Sequence, residues 1–322
     1  MFANERIECM KREDLATLQL VRLKKTIAWA REKSTFYQKK FASAPEIRIE
    51  SLSDLEKLPF TTLPDILNTS PFDFLTLPMS SILRISCRRY TGTVVKMYTN
   101  GDIAHNVDML TRMLVASGIH RASVVGILGD MSDGRLLDLQ MAAEVIGATT
   151  VLLGEDMQGA VELVRLTGMD TLLASQPLVM QLIVHAQMKN IEPSELPLQV
   201  IICLNEAISN PMKRHMCERL QTEVHDLFAS AELGTAGMFF PCGKGQGHHV
   251  QEDYCYPEII EFSGARVIEE AGRMGELVVT TLGAEAMPLI RYRTGQAVMR
   301  LDEPCTCGRA FLRLATPFAL AH

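Results

Sequence analysis

Tyr256-Pro-Glu-Ile-Ile260, Gly275-Glu-Leu-Val-Val-Thr-Thr-Leu282 and Pro288-Leu-Ile-Arg-Tyr-Arg-Thr-Gly-Gln296 follow one another in the last third of the chain, framed by Cys242, His249, Cys305 and Cys307. The runs are rich in β-prone residues and are separated by Gly and acidic turn residues, which is how strands of a small antiparallel sheet are written. The framing residues bring three thiols and one imidazole, a donor set that fits tetrahedral zinc. Their spacing is not that of a common zinc finger. They read either as one metal site or as four unrelated groups of a reduced protein.

Upstream, between residues 81 and 230, the pattern changes to apolar strand candidates: Ser123-Val-Val-Gly-Ile-Leu128, Thr149-Thr-Val-Leu-Leu153, Thr171-Leu-Leu-Ala174 and Val200-Ile-Ile-Cys-Leu204. Each is followed by ten or more residues of helical periodicity, an alternation that builds a parallel α/β sheet. Residues 1–80 read as helical scaffold, with Ala16, Leu20, Leu23, Ile27 and Ala30 at helical spacing. The expected organisation is therefore a helical segment (1–80), an α/β subdomain (81–230) and a β-rich subdomain (231–322).

Composition excludes several classes of function. A chain of 322 residues with 47% hydrophobic residues buries a large core. The net charge of −6, with Lys and Arg scattered, offers no footprint for nucleic acid. The longest apolar runs, such as 146–154, fall far short of the roughly 20 residues that span a bilayer. The N-terminus lacks the basic and apolar regions of a signal peptide, so a cytoplasmic location is expected, with no membrane partner. In that reducing compartment the eight cysteines are thiols or metal ligands, and Cys9, Cys87, Cys203, Cys217 and Cys255 have no partner at ligand spacing.

The three C-terminal runs together resemble the end of the large domain of an adenylate-forming ligase, specifically the phenylacetate-CoA ligase family. Leu58-Pro-Phe-Thr-Thr62 resembles the family's opening, and Phe228-Ala-Ser-Ala-Glu232 is similar to its Tyr-Gly-x-Ser/Thr-Glu motif. The resemblance covers nearly the whole chain. It implies an adenylate-forming-ligase large domain with a helical N-terminus, a parallel α/β sheet and a small antiparallel β region, handling ATP, magnesium and a carboxylic acid. It also pairs Cys242-x6-His249 with the Cys-x-Cys at 305–307 as a closed, structural zinc site; His248 is the adjacent competitor, and the family spacing points to His249.

The same resemblance exposes departures in the nucleotide motifs. The glycine-rich phosphate loop is replaced by Arg84-Ile-Ser-Cys-Arg-Arg-Tyr-Thr-Gly-Thr93, in which Thr91 and Gly92 remain. Arg88 and Arg89 there read either as a substitute phosphate clamp or as arginines of a solvated turn. Phe228 retains a ring to stack on adenine and Glu232 a magnesium ligand, but Ala229 and Ala231 replace the glycine and the hydroxyl. Glu206 stands in the family's Gly-Glu-Pro position. For Glu206 and Glu232 an Arg partner or a helix cap is the alternative role. Gln296 occupies the position of the Asp that holds both ribose hydroxyls. Each charge-assisted bond lost there removes on the order of 1.5–3 kcal/mol, so ATP affinity is expected to fall by several orders of magnitude.

Family members continue into a C-terminal lid domain of about one hundred residues that carries the adenylating lysine. The chain's end at His322 gives the expectation that this domain is absent. Two classes of function follow. One is a non-catalytic homologue, a pseudoenzyme, that binds a small carboxylic acid, a nucleotide or a protein partner, itself included as a homo-oligomer. The other is an active ATP-dependent acid–CoA ligase using a C-terminal domain in trans.

Overall fold

The computed structural model describes residues 1–42, 48–89, 92–204, 208–227, 230–244, 247–315 and 318–319. The N-terminal part is helical: α1 (Glu5–Glu8), α2 (Arg12–Lys33), α3 (Thr35–Ala42) and α4 (Leu63–Asn68). Leu15, Leu23, Ile27 and Ala30 of α2 are buried, while Ala16 and Leu20 flank the stripe at its edge. Polar contacts dock the same helix: Arg12 donates to both carboxylate oxygens of Glu252 (2.6 and 2.9 Å), and the Gln19 amide donates to the Glu252 carbonyl at 2.9 Å. α4 opens on a capping box in which Thr62 and Asp65 satisfy each other's backbone N–H groups.

A two-stranded hairpin follows, β1 (Arg84–Arg89) with β2 (Thr93–Tyr98), paired from Arg84 opposite Tyr98 to Arg89 opposite Thr93. Thr99 and Asp102 then form a capping box that starts α5 (Asn100–Ala116). Strands and helices alternate from there: β3 (Val124–Leu128), α6 (Gly134–Ile146), β4 (Thr149–Gly154), α7 (Met157–Thr167), β5 (Thr171–Ser175), α8 (Gln176–Met188), β6 (Val200–Leu204), α9 (Asn210–Leu220) and β7 (Glu223–Asp226). The five strands are parallel, in the order β4-β3-β5-β6-β7. The four expected strands form within a residue of their expected bounds. β7 was hidden because Glu223-Val-His-Asp226 is mostly polar. It is nevertheless a buried strand, its Asp226 held by Lys213 at 3.1 Å.

Both faces of this sheet are covered, which is why its strands read as continuous apolar runs. Val125, Ile127, Leu173 and Ile202 face α5 and α6, packing with Met113, Leu114 and Leu139. Leu128, Leu172, Ile201 and Cys203 face the other way, packing with Val164 of α7, Ile183 of α8 and Met216 of α9. The alternation is that of the strand pleat, and each such leucine or isoleucine contributes roughly 1.5–3 kcal/mol on burial. Among the described residues no helix is long and apolar enough to cross a membrane.

The C-terminal sheet is larger than the three expected strands. It comprises β8 (Phe239–Phe240), β9 (His248–Val250), β10 (Cys255–Ile260), β11 (Met274–Thr281), β12 (Tyr292–Leu301), β13 (Arg313–Leu314) and β14 (Phe318–Ala319), ordered β10-β11-β12-β13-β9-β8 with β14 on β12. β8, β9, β13 and β14 are only two or three residues long, too short for a periodic pattern to show in the sequence. Gly275 is required where β11 crosses β10, because a Cβ there would meet the Ile260 carbonyl oxygen at 2.4 Å. β12 also runs on past Gln296 to Leu301. Its register against β11 shifts between Glu276 and Val278, with Gly295 at φ 69° absorbing the bulge.

Pro288–Arg291, expected at the start of the last strand, instead forms the approach to it. Arg291 is 2% exposed and has a left-handed φ of 47°. Its guanidinium donates to both carboxylate oxygens of Glu258 on β10 (3.1 and 2.8 Å) and to the carbonyls of Glu56 (2.7 Å) and Leu58 (2.8 Å). Phe60 covers it, with the guanidinium carbon 4.1 Å from the ring centroid. Burial raises the Glu258 carboxyl above its ordinary range, and the guanidinium pulls it back. Removing one member strands the other charge, so Glu258→Ala is expected to lower the unfolding free energy by about 3–5 kcal/mol in urea titrations. A loss under about 1 kcal/mol would show that the pair does not hold this junction.

Candidate metal centre and nucleotide cleft

Strand pairing and one tight turn assemble the thiols. Cys242 leaves β8 after Pro241, His249 sits in β9 opposite Phe240, and Cys305 and Cys307 lie on the turn between β12 and β13. Thr306 closes that turn over the Cys242 loop by donating to the Lys244 carbonyl at 2.9 Å. The four donor atoms all lie within 4.8 Å of one another. Cys242 Sγ is 3.4 Å from Cys305 Sγ, and Cys307 Sγ is 3.3 Å from His249 Nε2. A tetrahedral zinc ion with bonds of about 2.0–2.3 Å holds its donors roughly 3.5–3.8 Å apart, so these two pairs would need to open by only a few tenths of an ångström around one ion.

Two further observations test the fit. His249 Nδ1 is buried without a hydrogen-bond partner among the described residues, so the ring's polar engagement is through Nε2, toward the sulfurs. His248, one residue away on the strand, faces the opposite side, where its Nε2 lies 2.9 Å from the Asp226 carbonyl oxygen. The thiols also divide their proton: hydrogen bonding between them holds Cys307 below and Cys242 above the ordinary thiol range, with burial pushing both up. The turn is anchored from behind by Arg309, which pairs with the fully buried Glu8 of α1 at 2.6 Å.

The nucleotide-motif residues are more dispersed. Thr91, Glu206 and Phe228 lie outside the described residues. Gly92 sits where a Cβ would meet Leu67 Cδ2 at 2.6 Å, so its bareness serves packing against α4. Arg88 pairs with Asp133 at 3.3 Å, Arg84 with Asp138 at 2.6 Å, and Arg89 is exposed at the hairpin tip. Arg293 forms an ion pair with Glu276. Gln296 is half-buried on the β12 bulge, its backbone N–H donating to Thr294 Oγ1 at 3.2 Å.

Glu232 lies in the turn Ala231–Leu233, and its carboxylate accepts from the Ser230 hydroxyl. The Tyr292 phenol joins this pair and is pushed above its usual range by burial first and by Glu232 second. A hydroxyl is thus present one position before Ala231, at Ser230, where it engages Glu232. Sequence comparison by position missed it, and it also missed Lys96, an ionisable residue inside the otherwise apolar-facing β2. Lys96 borders a cavity between β2, α5 and residues 281–287.

Over 303 residues the chain is 31% identical to a phenylacetate-coenzyme A ligase of Escherichia coli (strain K12), an alignment covering 89% of this chain and 68% of that protein. The chain belongs to the phenylacetate-CoA ligase family. A phenylacetate-coenzyme A ligase of Thermus thermophilus is 28% identical over 327 residues, covering 98% of this chain and 72% of the relative. No protein-family model matches the sequence. Among solved structures, an open conformation of 2-hydroxyisobutyryl-CoA ligase, in complex with 2-HIB-AMP and CoA, superposes with a TM-score of 0.90 at 20% identity, covering 98% of this chain and 77% of that one. A benzoate CoA ligase from Burkholderia xenovorans LB400 superposes less completely, with a TM-score of 0.53 over 69% of this chain. At these identities the structural likeness shows the fold alone, that of an adenylate-forming-ligase large domain.

For this phenylacetate-CoA ligase-family chain, an ion held by the three thiolates and His249 is expected at about one zinc per chain by elemental analysis. Cys305→Ser is expected to lower the melting temperature by roughly 5 °C or more. A metal-free preparation whose melting is unchanged by added zinc would contradict the site.

Proposed function

We propose that this chain is a zinc-stabilised phenylacetate-CoA ligase-family protein that binds a small carboxylic acid or a nucleotide and does not itself form an acyl-adenylate. The observation that carries this reading is the hairpin at the phosphate-loop position. Its ladder runs as far as Arg89 opposite Thr93, leaving three residues, 90–92, to connect the strands. Backbone N–H groups committed to a ladder are not free to cradle a triphosphate. The nearby guanidiniums of Arg84 and Arg88 neutralise Asp138 and Asp133. Gln296 adds a second deficit, because an amide offers the ribose hydroxyls no charge.

The ligand class rests on kinship. The relatives are named as phenylacetate-coenzyme A ligases, and the 2-hydroxyisobutyryl-CoA ligase of the same fold is bound to an acyl-AMP and CoA. The division into a helical segment to about residue 80, an α/β unit to about 230 and a zinc-bearing β unit beyond belongs to the same proposal. So does a cytoplasmic location, which eight free cysteines suit. A second reading is ATP-dependent acid–CoA ligation. It is favoured by Glu232, whose carboxylate beside Ser230 remains a ligand for a hard cation.

The isolated chain is expected to give no pyrophosphate exchange from ATP with phenylacetate or other carboxylic acids. Robust exchange that Glu232→Ala abolishes would overturn the non-catalytic reading. Gln296→Asp restores a charged acceptor on the bulge and is expected to tighten AMP binding roughly tenfold or more in equilibrium titrations. An unchanged or weaker affinity would remove Gln296 as a principal deficit.

A further inference from the structure

Lys96 lies on β2 and is 8% exposed. Its ammonium donates one hydrogen bond, to the Met287 carbonyl at 3.1 Å, and among the described residues no carboxylate pairs with it. The two acids whose fields reach it are already served. Asp102 of α5 accepts from Thr99 N (2.9 Å), Thr99 Oγ1 (3.1 Å), Glu285 N (2.7 Å) and Ala286 N (3.0 Å), and Glu232 accepts from Ser230. A buried ammonium without an ion-pair partner is costly, and native structures pair such groups.

The space beside it identifies what completes the pair. The cavity is small and opens to solvent, with Met97, Met109, Met238 and Met287 in its wall. Thioether side chains repack around apolar groups of varied shape. His105, Asn106 and Thr281 add polar groups to the rim, and the Tyr98 and Tyr254 rings complete it. We propose that this cavity takes the carboxylate of a small monocarboxylic acid as the ion-pair partner of Lys96, with the acid's apolar body against the methionines. The proposal deepens the ligand-binding reading above and rests on it.

Burial lowers the Lys96 amine to about 8, against the opposing fields of Asp102 and Glu232. A bound carboxylate favours the ammonium, so binding holds below that pH and weakens as pH rises through it, toward tenfold per unit. Of the other groups facing Lys96, Asp102 and Glu232 are held by the hydrogen bonds given above. Tyr98 and Tyr254 are raised by burial and stay protonated. His105 is controlled by His105→Gln.

Calorimetry with propionate and phenylacetate between pH 6.5 and 9.5 tests the inference, with inorganic phosphate and AMP as competitors. The wild-type chain is expected to bind an acid with affinity falling above about pH 8. Lys96→Met is expected to weaken binding at least tenfold and to flatten the profile, whereas Lys96→Arg moves the fall above the measured range. Lys96→Gln replaces Lys96→Met should the latter not melt cooperatively. A folded Lys96 variant that binds like wild type, with the same pH profile, would overturn the role of Lys96 and leave the ligand-binding reading standing. Binding of neither acid nor AMP by wild type would overturn both. Displacement of the acid by phosphate or AMP would assign the ammonium to phosphate and overturn the carboxylate class.

Discussion

The buried pair between Arg291 and Glu258 is the constraint on which the C-terminal half depends. Its guanidinium joins β10 to the approach of β12 and, through the carbonyls of Glu56 and Leu58, to the N-terminal segment. Thr61 continues the junction: its N–H donates to the Arg291 carbonyl at 3.0 Å, and its hydroxyl donates to the Ile290 carbonyl at 2.7 Å. Tyr37 closes it from α3 with its phenol accepting from Ile290 N at 2.9 Å. These contacts fix where β12 begins, and hence where the bulge at Gly295 presents Gln296 and where Tyr292 meets Glu232. A left-handed arginine costs on the order of 1–3 kcal/mol and persists because the surrounding contacts over-determine it.

The thiol cluster does comparable work at the other end of β12. Its donors come from a strand exit, a strand centre and a turn, far apart in sequence, and the strands that carry them are too short to be stable alone. A closed four-donor ion there would supply the cross-link that a larger sheet obtains from its ladder, and it has no open position for substrate. Glu8 and Arg309 extend the same anchor to the first helix. On that proposal the metal centre would serve architecture, and the proposed ligand site is the cleft between the hairpin, α5 and the turn bearing Glu232.

What the sequence disclosed followed the strength of its periodic signals. The parallel sheet was legible because both faces are buried and its strands are unbroken apolar runs, and the donor set was legible because thiols and imidazoles have few other roles at such density. β7 escaped because Asp226 and His225 are buried with partners that only the fold brings near. The bulge at 294–296 and the bond between Ser230 and Glu232 escaped for another reason: each depends on the local backbone path, which a position-by-position comparison does not show. Lys96 drew no notice in the sequence, because its burial without a carboxylate partner among the described residues is a property only the fold creates.

The proposed function turns on whether the nucleotide site binds ATP tightly. Titration calorimetry of the zinc-loaded chain with ATP, run with and without magnesium, measures this most directly. The proposal predicts no saturable binding at micromolar ATP in either condition, on the ground that ladder-paired N–H groups offer a triphosphate no cradle and an amide offers the ribose no charge. Magnesium-dependent binding with a micromolar Kd would contradict it.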